Sequence, residues 1–541
     1  MSLATRLFRA LGYEPRRTRR RQYEGATMSR LTSSWVTSGT SADAEINGSL
    51  ARLRNRARQL VRDSDYARQA KRAVMNNVIG TGIKLQAQVM MQRGGRLDED
   101  LNKRIEKAWK YWGYKSYCDV AGRLCFADIE RIIVGAMCES GEVFVRVIRR
   151  PFGGSQIPFA LQIIESDQLD ETYTGKSSAN GNEWRMGVEV DQFGRAVQYA
   201  FLQKHPGDAP FSGTAGKRHL MLNADEVLHL YIQERPGQTR GVTWFASAIK
   251  RLHHLAGYEE AEVIRARASS SLMGFITTTE GELGTAEEVY DNDRVDSFAP
   301  GVFKYLQPGE SVTVPSLDAP DGQFEPFTRG MLRAVAAGLG TSYESVSRDY
   351  SQSNYSSSRL AMLEDRDNWR SIQRFLIENF HQPVYNMWLE MAVMGGALDL
   401  PAYEANPERY RTIKWCPRAY GYVDPQKEVA AYKAAVRCGF KTLADVVAEQ
   451  GGDLDDLLKQ RQAELAMLDE MNIVLDTDPS EVNGGGGVQP GLGMGAIPAF
   501  DDTERPGEQE QQEQQEPEVE EIVEEQVEPV AEQEVLEDGD D

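Results

Sequence analysis

The sequence predicts an α+β protein whose folded body lies between two flexible ends of opposite charge. Three observations predict this. Apolar residues recur at helical spacing over residues 50–78 and along runs near 242–273, 326–339 and 357–394. Strand-type alternation is gathered between residues 142 and 232. Charge is segregated: residues 1–30 hold eight arginines against two glutamates, whereas residues 501–541 hold 19 acidic residues and one basic, Arg505. The 541-residue chain has a net charge of −21, but residues 1–500 carry 60 basic and 63 acidic side chains, a net of −3. The body is therefore nearly neutral and lacks the cationic surplus with which ordinary nucleic-acid binders neutralise many phosphates.

In chain order, residues 1–48 read as a basic flexible arm, since "EPRRTRRRQYEG" has no apolar periodicity. A solvated tail, a contact with nucleic acid or an acidic scaffold, and an arginine-rich presequence all fit that composition. Folding is expected to begin near Ser49. Leu50, Leu53, Ala57, Leu60 and Val61 share one face of a first helix, Asp63 or Ser64 caps a second, and Gly80-Thr-Gly82 ends it. A strand near 83–89 and helices through Trp109 and Trp112 and through Phe126–Cys138 come next. Strands are expected at "EVFVRVIRR", "FALQIIES", "WRMGVEVD", "AVQYAFLQ" and "EVLHLYI", with Asp191–Gly194 as a turn. These complete a mixed α/β unit over 49–241.

A long helix is expected over 242–273, short strands and turns over 274–323, and a helix from Pro326 to Leu339 with its proline in the first turn. Thr341-x-x-Glu344 has capping-box form and would start a short helix. Then comes "YSQSNYSSSR", residues 350–359, whose first nine residues have no charge, glycine or proline. On its own it reads as a serine-rich connector in which Ser356 or Ser357 caps the next helix. That helix runs to Met394, with a kink expected after Phe380 because of Pro383. Shorter helices, a glycine-rich linker over 476–500 and a disordered acidic tail over 501–541 complete the chain.

Chemistry-bearing patterns are scarce. Five cysteines, an odd number in a large chain, suit reduced thiols, and Cys118, Cys125 and Cys138 lack zinc-ligand spacing. His253 and His254 are adjacent on a helix and point about 100° apart, so they form no bidentate face. There is no G-x-x-x-x-G-K-[ST], no G-x-S-x-G and no H-E-x-x-H. Glu364-Asp-Arg-Asp367 has the residue types of a two-metal nuclease site, but its basic neighbours on a predicted helix favour an ion-paired face. No catalytic residue, metal or cofactor is expected. No run of about 18 apolar residues occurs, so no transmembrane helix is expected, and Arg6 and Arg9 interrupt the apolar Leu7-Phe8 that a signal peptide would extend.

Several segments resemble the lambda family of bacteriophage portal proteins: "LRNRARQLVRDSDYARQAKRAVMNNVIGTGIKLQ", "EVLHLYIQERPGQTRGVTWFASAI" and "YSQSNYSSSRLAMLE". The matches run in consistent order over about residues 45–420. One departure stands just before the third segment, where Gly340-Thr-Ser-Tyr-Glu344 and Ser347-Arg-Asp349 replace a Gly-Val-Pro-Tyr-Glu turn and Ser-Gly-Asp. The resemblance implies a ring, typically of twelve subunits, at one capsid vertex of a virion assembled in the bacterial cytoplasm. Double-stranded DNA would pass through it during packaging and ejection. Implied partners are further copies of the chain, the terminase large subunit, head-completion and tail-joining proteins, and the major capsid protein or scaffold. Residues 49–241 would form a wing, 242–273 a first stem helix, 274–323 a clip, 324–347 a second stem helix with a short helix after it, and 360–475 a long kinked helix and crown. Gly330, Ala334, Ala337 and Gly338 would let neighbouring stems approach closely, although a small-residue core helix reads the same way. Residues 348–359 (Arg348, Asp349, Tyr350, Ser351, Gln352, Ser353, Asn354, Tyr355, Ser356, Ser357, Ser358 and Arg359) would form a tunnel loop facing DNA. The acidic tail would screen the channel mouth, bind a basic partner or aid solubility. Two other readings stay open: a phage-associated metal-dependent DNA-processing enzyme, and a ring adaptor that does not touch DNA.

Overall fold

The computed structural model describes residues 26, 29–30, 32–91, 97–177, 180–208, 219–270, 275–278, 310–313, 324–420, 425–450, 452, 454–471 and 473. The linker, the acidic tail, most of the basic arm and most of 274–323 lie outside the described residues. The chain divides into two units after Gln460. In the second, the described part is Arg461–Met471, the end of a helix, and Ile473.

Helical structure starts earlier than Ser49. Helix α1, Ala42–Ile46, has Ala42 and Ile46 buried, and its Asp43 carboxylate accepts from the Thr239 amide at 2.8 Å and hydroxyl at 2.6 Å. Helices α2, Leu50–Asp63, and α3, Asp65–Val78, follow, with Ser64 as the cap between them. Leu50, Ala57 and Val61 are buried and Leu53 and Leu60 half-buried, the face the spacing predicts. Strand β1, Lys84–Ala87, helices α4, Glu99–Trp112, α5, Lys115–Cys118, and α6, Phe126–Ser140, complete the helical part of the body.

Two antiparallel sheets follow. Strands β2, Glu142–Ile148, β3, Ala160–Ile164, and β9, Val227–Tyr231, pair in the order β3-β2-β9. Strands β4, Gly175–Lys176, β5, Glu183–Arg185, β6, Val188–Val190, β7, Ala196–Leu202, and β8, His219–Asn223, pair in sequence order. The single strand expected at "WRMGVEVD" is thus two: Met186 and Gly187 both take positive φ, 48° and 88°, and fold it into a β5–β6 hairpin. Val143, Val145 and Val147 of β2 enter an aromatic core with Trp109, Trp112, Phe126, Phe380, Tyr385 and Trp388, while Phe144 enters a second cluster with Tyr199 and Phe201. Both faces of β2 are therefore covered.

Helix α7, Ile249–Ser270, starts later than Val242, because residues 241–248 form turns that bury Phe245 and Ala248. Of 274–323, the described part is an antiparallel pair, β10, Phe275–Thr278, with β11, Glu310–Thr313. Helix α8, Phe324–Leu339, holds Pro326 in its first turn as expected. A short helix α9, Tyr343–Ser347, is capped by Ser342 rather than Thr341. Helix α10, Tyr355–Leu376, passes through a π-helical turn, Ile377–His381, into α11, Gln382–Met394. The wide turn is how the chain accommodates Pro383, which has no amide to donate and whose ring crowds the carbonyl four residues earlier. Strand β12, Ile413–Cys416, pairs with β1 from more than 300 residues away. Helices α12, Pro425–Arg437, α13, Leu443–Glu449, and α14, Leu454–Met471, end the described chain.

One buried junction holds these parts together. Gly141 ends α6 at φ 90°, and a Cβ on it would stand 2.3 Å from the Val242 carbonyl carbon; one on Gly241 would stand 2.3 Å from Gly141 O. Beside this crossing, the wholly buried Arg240 donates from Nε to Glu142 at 2.9 Å and from Nη2 at 2.5 Å, and from Nη1 to Met186 O at 2.6 Å. The Gly241 amide at 2.9 Å and His229 Nε2 at 3.0 Å complete the Glu142 environment. Burial works to raise the Glu142 carboxyl, but Arg240 and His229 outweigh it and hold it well below the usual range. Arg240→Met is expected to lose about 3–5 kcal/mol by chemical denaturation, because it strands a buried carboxylate, and Glu142→Gln added to it recovers much of the loss. A depressed folded pKa contributes stability that is present above the unfolded value and lost as pH falls through the folded one. The junction should therefore persist at about pH 4, and an Arg240-dependent stability that vanished there would contradict this account.

Candidate functional site

The segment leading to α10 is built on carboxylates that accept from serines. Asp365, buried on α10, accepts from the Ser342 amide at 2.7 Å, the Ser342 hydroxyl at 2.7 Å and the Ser345 hydroxyl at 2.8 Å. This hangs α9 on α10 and explains why Ser342 caps it. Gln69 of α3 donates to Ser345 O at 3.2 Å, and Arg333 of α8 lies 5.7 Å from the Tyr343 ring centre. The base of the segment is thereby fixed to three helices. The sequence-based expectation of an ion-paired face over Glu364–Asp367 is corrected here: Asp367 does pair with Arg370 at 2.9 Å, but Asp365 points inward to serines.

Arg348 ends α9 with φ 59°, in the left-handed region where the departed-from pattern has glycine. Asp349 then accepts from Tyr343 Oη at 2.9 Å and from the Ser351 amide at 3.0 Å. Hydrogen bonds from Ser351 and Tyr343 hold its carboxyl down to about 2, so it is ionised near neutrality. The Ser353 amide donates to Tyr350 O at 3.1 Å and closes a turn. Arg348, Tyr350, Ser351, Gln352 and Asn354 are exposed and Ser353 is half-buried.

The loop is shorter than 348–359. Helix α10 begins at Tyr355, and Asn354, not Ser356 or Ser357, is its cap: its side chain accepts from the Ser357 amide at 2.8 Å, while Ser357 Oγ accepts from the Asn354 amide at 3.3 Å. Tyr355, Ser356, Ser357, Ser358 and Arg359 therefore form the first helical turns, with Ser356 and Ser357 exposed and Ser358 and Arg359 half-buried. Asn-x-x-Ser was the signal in the sequence. Asp365 had none, since it lies 23 residues from Ser342.

On α8 the buried face is Leu332, Val335 and Ala336. Gly330 and Ala337 are exposed and Ala334 is half-buried, so they lie off that face; a Cβ on Gly330 would meet nothing within 4 Å. Gly338 is different: a Cβ there would stand 2.7 Å from Ser247 Oγ of the same chain.

As to metals, Glu165, Asp167 and His205 are the one described grouping of three or more ligand side chains. Arg54 at 3.1 Å and Arg58 at 2.5 Å already neutralise Asp167; burial raises that carboxyl, and the two arginines more than offset it. Their charge opposes a divalent cation. Cys118 and Cys138 are buried and their thiols pushed up to about 12 by burial, the inert condition of structural cysteines. His253 and His254 are exposed on α7. No described helix is long and apolar enough to cross a membrane.

Asn354→Ala is expected to remove the cap and cost about 1 kcal/mol locally, read as faster amide exchange over Ser356–Ser358, while Asn354→Asp keeps protection. Unchanged exchange in the alanine variant would refute the capping role.

Residues 28–373 match the family described as phage portal protein, lambda family. The chain is 31% identical over 464 residues to a probable portal protein of Halomonas phage phiHAP-1, covering 84% of this chain and 88% of that protein. It is 23% identical over 466 residues to portal protein B of Escherichia phage lambda, covering 80% and 86%. A chain from the virion of a native gene transfer agent particle aligns with TM-score 0.41 and 12% identity, covering 76% of this chain and 97% of that one.

Proposed function

The chain belongs to the lambda family of phage portal proteins, and from that premise we propose that it assembles into a ring, of about twelve copies as the family resemblance implies, at one vertex of a phage capsid, conducting double-stranded DNA and docking the packaging motor and the head-completion and tail-joining proteins. In this reading residues 49–241 are the wing, 242–273 and 324–347 the stem, 274–323 the clip that meets the terminase, and 360–475 the crown. Helices α7 and α8 supply the stem, and the β10–β11 pair lies between them in sequence. The observation that carries the reading is the segment after α9: a turn fixed at its base by Asp365, Gln69 and Arg333, with exposed hydroxyl and amide side chains at its tip. Such groups make hydrogen bonds that exchange readily with water, which suits a surface that DNA must slide past. With α10 starting at Tyr355, the tunnel loop is the turn Arg348–Asn354, and Tyr355–Arg359 are helical residues behind it.

Two variants test it. Gly330→Leu, where a side chain meets open space within one chain, is expected to leave the monomer folded and to abolish rings in electron micrographs; normal rings would remove Gly330 from the subunit contact. Ser351→Asp with Gln352→Asp is expected to form rings but to lower the yield of DNA-filled heads at least tenfold when it complements a phage lacking its portal gene, with normal heads overturning the loop assignment.

A further inference from the structure

Three guanidiniums converge on the ring of Tyr420. Its ring centre is 5.2 Å from the Arg366 guanidinium carbon, 5.8 Å from that of Arg418 and 6.0 Å from that of Arg370. Arg366, Arg370 and Arg374 recur every four residues along α10, so they form one row stepping about 6 Å at a time. All four arginines line a single groove of about 630 Å³ with Lys414 and Lys441, six cations facing the four carboxylates of Glu378, Glu428, Asp445 and Glu449.

The pairing within the groove leaves Arg370 and Arg374 open to exchange. Arg370 meets Asp367 at 2.9 Å and Arg374 meets Glu378 at 2.8 Å, but both pairs join exposed side chains, where an ion pair contributes little. Lys441 is held by Glu449 at 2.7 Å. Arg418 is anchored by neutral atoms, donating to Asn76 O and, at 3.0 Å, to Asn77 Oδ1, and the Tyr420 hydroxyl donates to Asn77 O at 3.0 Å. Aromatic stacking and carbonyl anchoring thus pre-position the guanidiniums of Arg366 and Arg418. Arg366, Arg370 and Arg418 gather on one ring, and Arg374 carries the row one further turn along α10, so the cations extend past a single point. This arrangement fits a ligand with phosphates repeated along a line better than a single small anion.

We propose that Arg366, Arg370, Arg374 and Arg418 form a strip that binds the backbone phosphates of DNA without regard to base sequence, an inference that rests on the DNA-conducting function above. Guanidinium–phosphate contacts position a backbone and read no bases. A strip of a few cations on a nearly neutral body would hold DNA loosely and in a salt-dependent way.

The test measures binding of a mixed-sequence duplex to purified rings of the full chain by fluorescence anisotropy across a KCl series. Arg370→Gln with Arg374→Gln, both exposed, is expected to flatten the slope of log K against log salt by about 2 for each strip engaged, and Arg370→Lys with Arg374→Lys to restore most of it. An unchanged slope, or wild-type rings that hold no DNA at any salt, overturns the strip. Release of the duplex by inorganic phosphate at matched ionic strength, beyond what chloride achieves, would identify a free-phosphate site and overturn it also. If the variant still forms rings, the portal function survives the strip's failure; a wild-type chain that forms no rings would instead overturn that function.

Discussion

The crossing of two glycine-lined backbones beside the Glu142–Arg240 pair is the constraint on which the rest of the body depends. Gly141 joins α6 to β2, and Gly241 leads from the sheets toward α7; neither position has room for a Cβ. Arg240 reaches the β5–β6 hairpin through Met186 O, and Glu142 reaches β9 through His229. Four parts of the chain are therefore fixed to one another at a single point. A buried ion pair of this kind is weak evidence for net stability, because desolvating both charges offsets much of their attraction. What it supplies is selectivity. Any other register of β2 against β9, or any other approach of the 241–248 turns, would leave a charge buried without its partner, at a cost few domains can absorb.

The same logic, at lower stakes, shapes the segment before α10. Three serine donors on one buried carboxylate fix α9, and a second carboxylate, Asp349, organises the turn that follows. The uncharged run 350–358 thus stands on a charged root. An ionised Asp349 sits at its root, committed to Tyr343 and Ser351, and Arg348 stands beside it.

How much of this was legible depended on how local each signal was. The α2 face was readable because Leu50, Ala57 and Val61 report their own burial by spacing. The mixed helix and sheet composition followed from the same periodicities. Strand β12 was missed: Ile413–Cys416 is four residues long, and its partner β1 lies at the other end of the body, so nothing nearby marks it. The Met186–Gly187 turn was hidden because methionine rarely takes positive φ; here Met186 is buried and its carbonyl accepts from Arg240. Ser342 was passed over for Thr341 because the deciding partner, Asp365, is remote in sequence. The arginine row was visible as a four-residue repeat, but the acids interleaved with it gave a sufficient local explanation. Only the fold, by placing Tyr420 and Arg418 against it, separates the row from an ordinary solvated helix face.

Near-neutrality of the body and a row of arginines are compatible once affinity is counted per contact. Each phosphate neutralised adds just under one unit to the salt exponent of binding, so a strip of three or four cations gives an affinity that falls only modestly with salt and starts low. A surface basic throughout would multiply such contacts until DNA no longer moved on it. Placing three of the cations on α10, the first of them about 18 Å along the helix from the polar turn, would put a weak holding surface beyond a non-holding one. In a ring every copy repeats both elements. If the proposed ring and strip hold, total grip would scale with the number of strips engaged at once.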